Sequence, residues 1–247
     1  MLGAGVHAFP MTEHYGTAVA AHYAAFRPPL HRRILERLIR PGETFAVGLD
    51  IGCGTGYSAA ALAHFCDRVI GVDPSAAMLE AAQPHPRITY LHASGGQLSH
   101  ALAERVDAVT FAGSLFYAKS AGLRTGLARV CRPGATVLVY DFEVLLDAIV
   151  AELGLSGPPV ASGYDYAVNL SDWAELSLDA VGRERIGLDV SAEDLAHVLL
   201  ADSNRYAGLK ARFPVRDVFT AVAGHFSQRA ARASLAADIY FARYRVG

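Results

Sequence analysis

The residues of this chain with the clearest chemical potential lie in "AVGLDIGCGTGYSAAAL", residues 46–62, where Gly52, Gly54 and Gly56 are interleaved between an apolar run and an alanine-rich one. Glycines where a strand turns into a helix let the backbone approach a ligand, because no side chain stands in the way. Two acids frame the turn. Asp50 precedes the glycines, and Asp73 closes the next apolar run 21 residues after Gly52, where a carboxylate can accept hydrogen bonds from both hydroxyls of a ribose. The turn therefore suits a nucleoside cofactor or a dinucleotide. The dinucleotide fingerprint Gly-x-Gly-x-x-Gly asks for glycine at position 57, where Tyr57 stands. That departure and the acid at 50 count against a nicotinamide-dependent oxidoreductase, which stays an alternative.

A second set of candidates falls at the ends of later apolar runs. Tyr117, Tyr140 and Asp141 sit where side chains could orient or deprotonate an acceptor, and Asp141 could equally cap the following helix. Cys53 is flanked by glycines and has no histidine in its motif to deprotonate it, so it reads as a packing residue. The three cysteines lack Cys-x-x-Cys spacing and the ten histidines lack His-Glu-x-x-His spacing. No metal is expected, and the thiols are expected to be free.

These residues need a scaffold, and the pattern supplies one. Apolar runs "FAVGLDIG", "RVIGVD", "RITYLHA", "VDAVTFAG" and "ATVLVYDF" alternate with helical segments such as "PSAAMLEAAQ" and "SAGLRTGLARVC". Near-continuous apolar strands between helices imply a parallel sheet covered on both faces. Residues 12–40 read as two helical pieces separated by "FRPPL". Beyond the core lie a Gly/Pro/Ser loop, a weak strand in "RERIGLDVS", helices around "AEDLAHVLL" and "DVFTAVAGHFSQRAA", and a closing strand in "ADIYFARYRV".

Composition sets outer bounds. With 247 residues, 52% of them hydrophobic and 19% charged, the chain can bury a substantial core. No apolar run approaches the roughly 18 residues a membrane span needs, and the first residues lack a signal-peptide pattern, so a cytoplasmic protein with no membrane partner is expected. Net charge is −2 and the arginines are scattered, apart from Arg32, Arg33, Arg37 and Arg40 on one solvated helix face, which argues against nucleic acid as a partner.

The motifs together resemble the class I S-adenosylmethionine-dependent methyltransferases, in their small-molecule, type 11-like group. "LDIGCGTG" and "VIGVDPSAAMLEAA" are similar to that family's first two motifs, "VDAVTFAGSLFYA" to its fourth-strand motif, and "RVCRPGATVLVYDF" to the stretch after it. "HYAAFRPPLHRRIL" is similar to the group's amino-terminal Tyr-x-x-x-Arg-Pro segment. The likeness is specific from residue 23 to 141 and one of layout beyond.

It implies an α/β, Rossmann-like, mostly parallel seven-stranded sheet with helices on both faces, an antiparallel last strand and helical lid elements. The implied organisation is a single domain over 1–247, with an N-terminal lid (1–40), a cofactor-binding core (41–145), and a substrate lid with the last two strands (146–247). S-adenosylmethionine is the implied cofactor. Its implied contacts are Arg27, Asp50, Gly52, Gly54, Gly56, Asp73, Met78, Ser94, Gly95 and Ala112. Arg27 would close over the cofactor's carboxylate, with Tyr15 and Tyr23 near the same mouth. Ser94 stands where the family places an acid that accepts from the adenine amino group, and Phe116 and Tyr117 stand where it usually has histidines. Tyr206, in the helical lid "ADSNRYAGL", joins Tyr117, Tyr140 and Asp141 as a candidate at the acceptor. The function implied is methyl transfer to a small organic acceptor through oxygen, nitrogen or carbon; a non-catalytic binder of the cofactor is the other reading.

Overall fold

Seven strands form one sheet in the computed structural model, which describes residues 17–26, 28–155, 163–228 and 232–247. They are β1 (Phe45–Ile51), β2 (Cys66–Asp73), β3 (Ile88–His92), β4 (Val106–Ala112), β5 (Cys131–Leu145), β6 (Leu176–Ser191) and β7 (Arg232–Val246), in the order β3-β2-β1-β4-β5-β7-β6. The first five run parallel, and the last strands are antiparallel. The order reverses between β1 and β4. In open α/β sheets that switch point is where ligands bind, beyond the carboxyl ends of the strands.

The strands' period of two assigns the two faces. Val47, Leu49 and Ile51 of β1 join Val109 and Phe111 of β4 in one buried cluster with Leu98 of α5 (Leu98–Ala101) and Leu123, Leu127 and Val130 of α7 (Ala121–Val130). The alternate residues Gly48 and Asp50 look the other way, toward Leu62 and Ser58 of α3 (Tyr57–Leu62). Helices thus cover both faces of the parallel strands. The short α4 (Ala76–Glu80) follows β2, and α6 (Leu115–Ala118) follows β4.

Two compact units divide the chain. One holds residues 29–144, 160–186 and 236–247, which include β1–β5, the first two thirds of β6, most of β7 and α2 (Leu30–Leu38). The N-terminal lid expected over 1–40 therefore divides, because α2 buries Leu30, Ile34, Leu35 and Leu38 and packs against α3 within the sheet unit. Its arginines do more than face solvent. Arg37 pairs with Glu184 at 2.8 Å and Arg40 with Asp179 at 2.9 Å, both on β6.

The other unit holds residues 1–28, 145–159 and 187–235. Its helices are α1 (Thr17–Ala25), α8 (Asp147–Glu152), α9 (Ala192–Leu200), α10 (Ser203–Arg212) and α11 (Val218–Ser227). Side-chain caps start the last three: Ser191, Asp202 and Asp217 each accept from a backbone N–H in the first turn, satisfying a donor that the helix itself leaves unpaired.

Candidate active site

The glycine turn after β1 is shaped by what touches it. Gly52 lies at φ 72°, and a Cβ there would stand 2.5 Å from Ser114 Cβ. Ser114 follows β4 and donates its hydroxyl to the Ile51 carbonyl, so the β1 and β4 turns are locked together. Gly56, at φ 90°, faces the Tyr90 ring of β3, which leaves no room for a side chain. Gly54 is different: at φ 53° it has no heavy atom within 4 Å of where a Cβ would be. Its outer surface is open, and it lies directly beside Asp73.

Asp73 ends β2 and is buried. Its Oδ2 accepts the Gly54 N–H and its Oδ1 accepts the Ser75 N–H, both at 2.8 Å. A carboxylate offers about four lone-pair directions, so two bonds to the turn leave capacity for ribose hydroxyls. Ser75 in turn caps α4, accepting from Met78 N at 3.3 Å, which puts the half-buried Met78 in the first turn beside the acid. An open glycine surface next to an anchored carboxylate fits a nucleoside cofactor.

Asp50 occupies a different place from the one expected. It is fully buried, and its oxygens accept from Ser58 Oγ at 2.5 Å and Thr110 Oγ1 at 2.7 Å. The expectation of direct cofactor contact is corrected: the side chain ties β1 to α3 and β4 from beneath the turn. Burial raises its carboxyl to about 6, against the pull of the two hydroxyls.

Ser94 and Gly95 lie past the end of β3. Ser94 N and Oγ both donate to Gln97 Oε1, at 2.9 and 3.0 Å, in a capping box that starts the turn before α5. Gly95 is needed for packing, since a Cβ there would meet Leu123 Cδ1 of α7 at 2.9 Å. Gln97, unnoticed in the sequence, is what orients Ser94. The serine-to-glutamine spacing of three was its signal.

The ends of β4 and β5 form the neighbouring corner. Ala112 pairs with Tyr140, and Gly113 follows at φ 69° with Asp141 Oδ1 3.1 Å from its Cβ position. Asp141 accepts from Phe142 N at 2.7 Å and from the Tyr164 hydroxyl at 2.5 Å, and that hydroxyl is also 2.9 Å from the Gly113 carbonyl. Burial and the adjacent carboxylate push the Tyr164 phenol well above its ordinary range.

Tyr164 was missed because it comes from the loop before β6. It is central to a row of rings: Phe116 at 4.7 Å, Tyr117 at 5.6 Å and Tyr166 at 4.8 Å between centroids, with Tyr166 stacked on Tyr240 at 6.0 Å. Tyr117 is 60% exposed at the outer end of this row. A cavity of about 430 Å³ runs from Gly113 and Asp141 along Tyr166 and Tyr240 to Arg183.

Tyr140 is a second correction. Tyr140 and Asp141 both line the cavity, but adjacent strand residues send their side chains toward opposite faces. The Tyr140 ring is buried, and its hydroxyl shares a 3.1 Å hydrogen bond with His31 Nδ1 of α2.

Tyr206, on α10, lies in the helical unit, 6.1 Å from His22 between ring centroids. Arg27, Tyr15 and the Tyr23 side chain lie outside the described residues. Cys53, Cys66 and Cys131 are buried free thiols, and burial pushes Cys66 and Cys131 up to about 12. Among the described residues no three His, Cys, Asp or Glu side chains are placed to hold a metal ion, and no helix is long and apolar enough to cross a membrane.

A sheet in this order, with an open glycine turn after β1 and an anchored acid after β2, agrees with the resemblance to the class I, S-adenosylmethionine-dependent methyltransferases. Residues 49–134 match the family model of a methyltransferase domain. A Saccharomyces cerevisiae protein named as an S-adenosylmethionine-dependent methyltransferase, CRG1, is 29% identical over 131 residues, covering 50% of this chain and 45% of that protein. The chain thus spans about half the length of this curated relative. A structure from Anaeromyxobacter dehalogenans named as a type II methyltransferase aligns with a TM-score of 0.63 and 22% identity, over 89% of this chain and 98% of that one. A structure described for the conversion of a disulfide into a thioacetal in echinomycin biosynthesis aligns at 0.51 and 16% identity, over 90% and 83%. Both are likenesses of fold.

Proposed function

We propose that this chain transfers a methyl group from S-adenosylmethionine to a small organic acceptor held in the cavity at the ends of β4 and β5. The observation that carries the reading is the contact between two sites. The Gly54–Asp73 cradle and the Gly113–Asp141 corner are joined through Ser114, which packs on Gly52 and bonds Ile51. Asp73 would hold the ribose, the backbone around Gly52 and Gly54 the chain that follows it, and Met78, Ser94, Gly95 and Ala112 the purine side. When bound, this cofactor supplies a methyl group on a sulfonium, an already activated carbon.

The protein's own work is then to orient and to desolvate. Orientation alone can supply several kcal/mol of a displacement barrier, on the order of 7–11 in favourable cases. The Ser114 lock fixes the two turns against each other, and the aromatic row keeps water from the acceptor. Asp141 is the group positioned to accept a hydrogen from the acceptor; its own orientation is held by Tyr164 and Phe142 N.

Calorimetric titration of the full chain with S-adenosylhomocysteine and with NAD tests the cofactor. Gly54→Val, which fills the open surface, is expected to abolish S-adenosylhomocysteine binding while far-UV circular dichroism is retained. Binding of NAD in place of S-adenosylhomocysteine would overturn the reading. Incubation of a cell extract with the protein and methyl-labelled cofactor is expected to yield a labelled small molecule; label only in macromolecules would remove the small acceptor.

A further inference from the structure

The cavity has opposite charges at its two ends. Asp141 lines the end beside Gly113, and Arg183 of β6 lines the other; they are the charged side chains among the described residues that line it. Arg183 lies over the Tyr240 ring, 4.8 Å from its centroid, and donates to Asp238 of β7 at 3.0 Å. Arg185 donates to the same carboxylate, at 2.7 and 2.9 Å. The two guanidiniums hold the Asp238 carboxyl down at about 2, so it stays ionised at working pH. Two cations share one anion, which leaves one positive charge in surplus at this end. Arg183 is thereby held in place, with 63% of its side chain exposed and guanidinium geometry suited to a carboxylate or phosphate.

The other end is electron-rich. Asp141 accepts from the Tyr164 hydroxyl, the Tyr164 ring packs on Phe116 and Tyr117, and the cavity itself carries the rings of Tyr166 and Tyr240, whose faces attract cations. Glu143, two residues along β5, adds negative charge near Tyr166. A phenolate or carboxylate nucleophile would be repelled here, whereas an amine and its alkylammonium product would be favoured. Between the ends the wall is mainly apolar, with Leu115, Val139, Val168 and Val181.

We propose that the acceptor is a zwitterionic amine, with its nitrogen at Asp141 next to the cofactor cradle, its anionic group at Arg183, and an apolar body between them along Tyr166 and Tyr240; the ammonium passes one proton to Asp141, and the neutral nitrogen so formed would take the methyl group, its N–C bond forming as the S–C bond breaks. This rests on the methyl-transfer reading for what the site is used for, but binding tests it separately.

The probe is 4-(aminomethyl)benzoate, compared by calorimetry with benzylamine and with 4-methylbenzoate, on the full chain without cofactor. The zwitterion is expected to bind at least about tenfold more tightly than either half. Asp141→Asn should weaken the two amines by roughly tenfold or more and spare 4-methylbenzoate, and Arg183→Gln should weaken the two acids and spare benzylamine. A merely structural role for either residue would move all three probes together, and that pattern would overturn the assignment. If S-adenosylhomocysteine binds but the zwitterion binds no better than 4-methylbenzoate, this inference fails and methyl transfer stands. If S-adenosylhomocysteine does not bind, the methyl-transfer reading itself fails.

Discussion

Asp73 and Gly54 are joined across the mouth of the sheet: the Gly54 N–H reaches Asp73 Oδ2 at 2.8 Å, so the acid that would bind the ribose also sets the shape of the turn above it. Asp73→Ala removes both functions. Each hydrogen bond to a charged acceptor is worth roughly 1.5–3 kcal/mol, so losing two ribose contacts should weaken S-adenosylhomocysteine by about two orders of magnitude or more in calorimetry. An unchanged affinity would show that the ribose is held elsewhere.

Asp50 gives a pH signature. Its carboxyl is raised from an ordinary 3.8 to about 6 in the folded protein. Between these values the folded chain holds a proton that the unfolded chain has released, so the contribution is complete below about 3.8 and is lost as pH rises through 6. The shift corresponds to about 3 kcal/mol. Asp50→Asn lacks this titration, and its hydroxyl partners Ser58 and Thr110 can rotate to suit an amide. Urea denaturation across this range should show wild type losing stability relative to Asp50→Asn as pH rises. Parallel curves would remove the role assigned to burial.

How much of this was legible in the sequence follows from where information lies in a chain. The strands β1 to β5 were readable because burial on both faces makes them continuous apolar runs, punctuated by Gly and Pro. The first half of β6 was not: Leu178 and Val181 are exposed, and a strand without a buried face leaves no period to read. Gly52, Gly54, Gly56 and Asp73 carry a local spacing. Ser114 on Gly52, Tyr164 on Asp141 and Arg183 on Tyr240 are meetings of distant segments, and no local pattern announces them. Tyr140 and Asp141 diverge because neighbours on a strand point to opposite faces, and the partner that takes up the Tyr140 hydroxyl, His31, comes from a distant helix that no local pattern announces.

Arg243 should be the costliest polar residue to remove from the sheet unit. It is 2% exposed and donates to the Leu38 carbonyl at 2.7 Å, to Glu43 at 2.7 and 2.6 Å, and to Asp179 at 2.8 Å. Arg243→Met leaves the partly exposed Glu43 and the exposed Asp179 without this partner and the Leu38 carbonyl without a donor, which costs roughly 1–3 kcal/mol. For a chain of this size that is a fall in melting temperature on the order of 5 °C. A change within a degree or two in a thermal scan would mean that solvent already screens the network.

The helical unit carries its own acid sensitivity. His22 of α1 and His197 of α9 meet Nδ1 to Nδ1 at 3.0 Å, and both pack on Phe219 of α11. Such a contact needs one nitrogen protonated and the other bare, so charging both rings breaks it. Burial lowers both histidines below their ordinary 6.5, and His197 lowers His22 further, while Asp217 pulls His22 up and Asp194 and Glu193 pull His197 up. Just below 6.5 the unfolded chain therefore binds protons that the folded one does not, so the stability present above 6.5 is lost as pH falls through the lowered folded values. Hydrogen exchange in α1, α9 and α11 should quicken between about pH 7 and pH 5.5 after correction for intrinsic rates, and His197→Gln should flatten that dependence. Equal pH dependence in the variant would place the sensitivity in other groups.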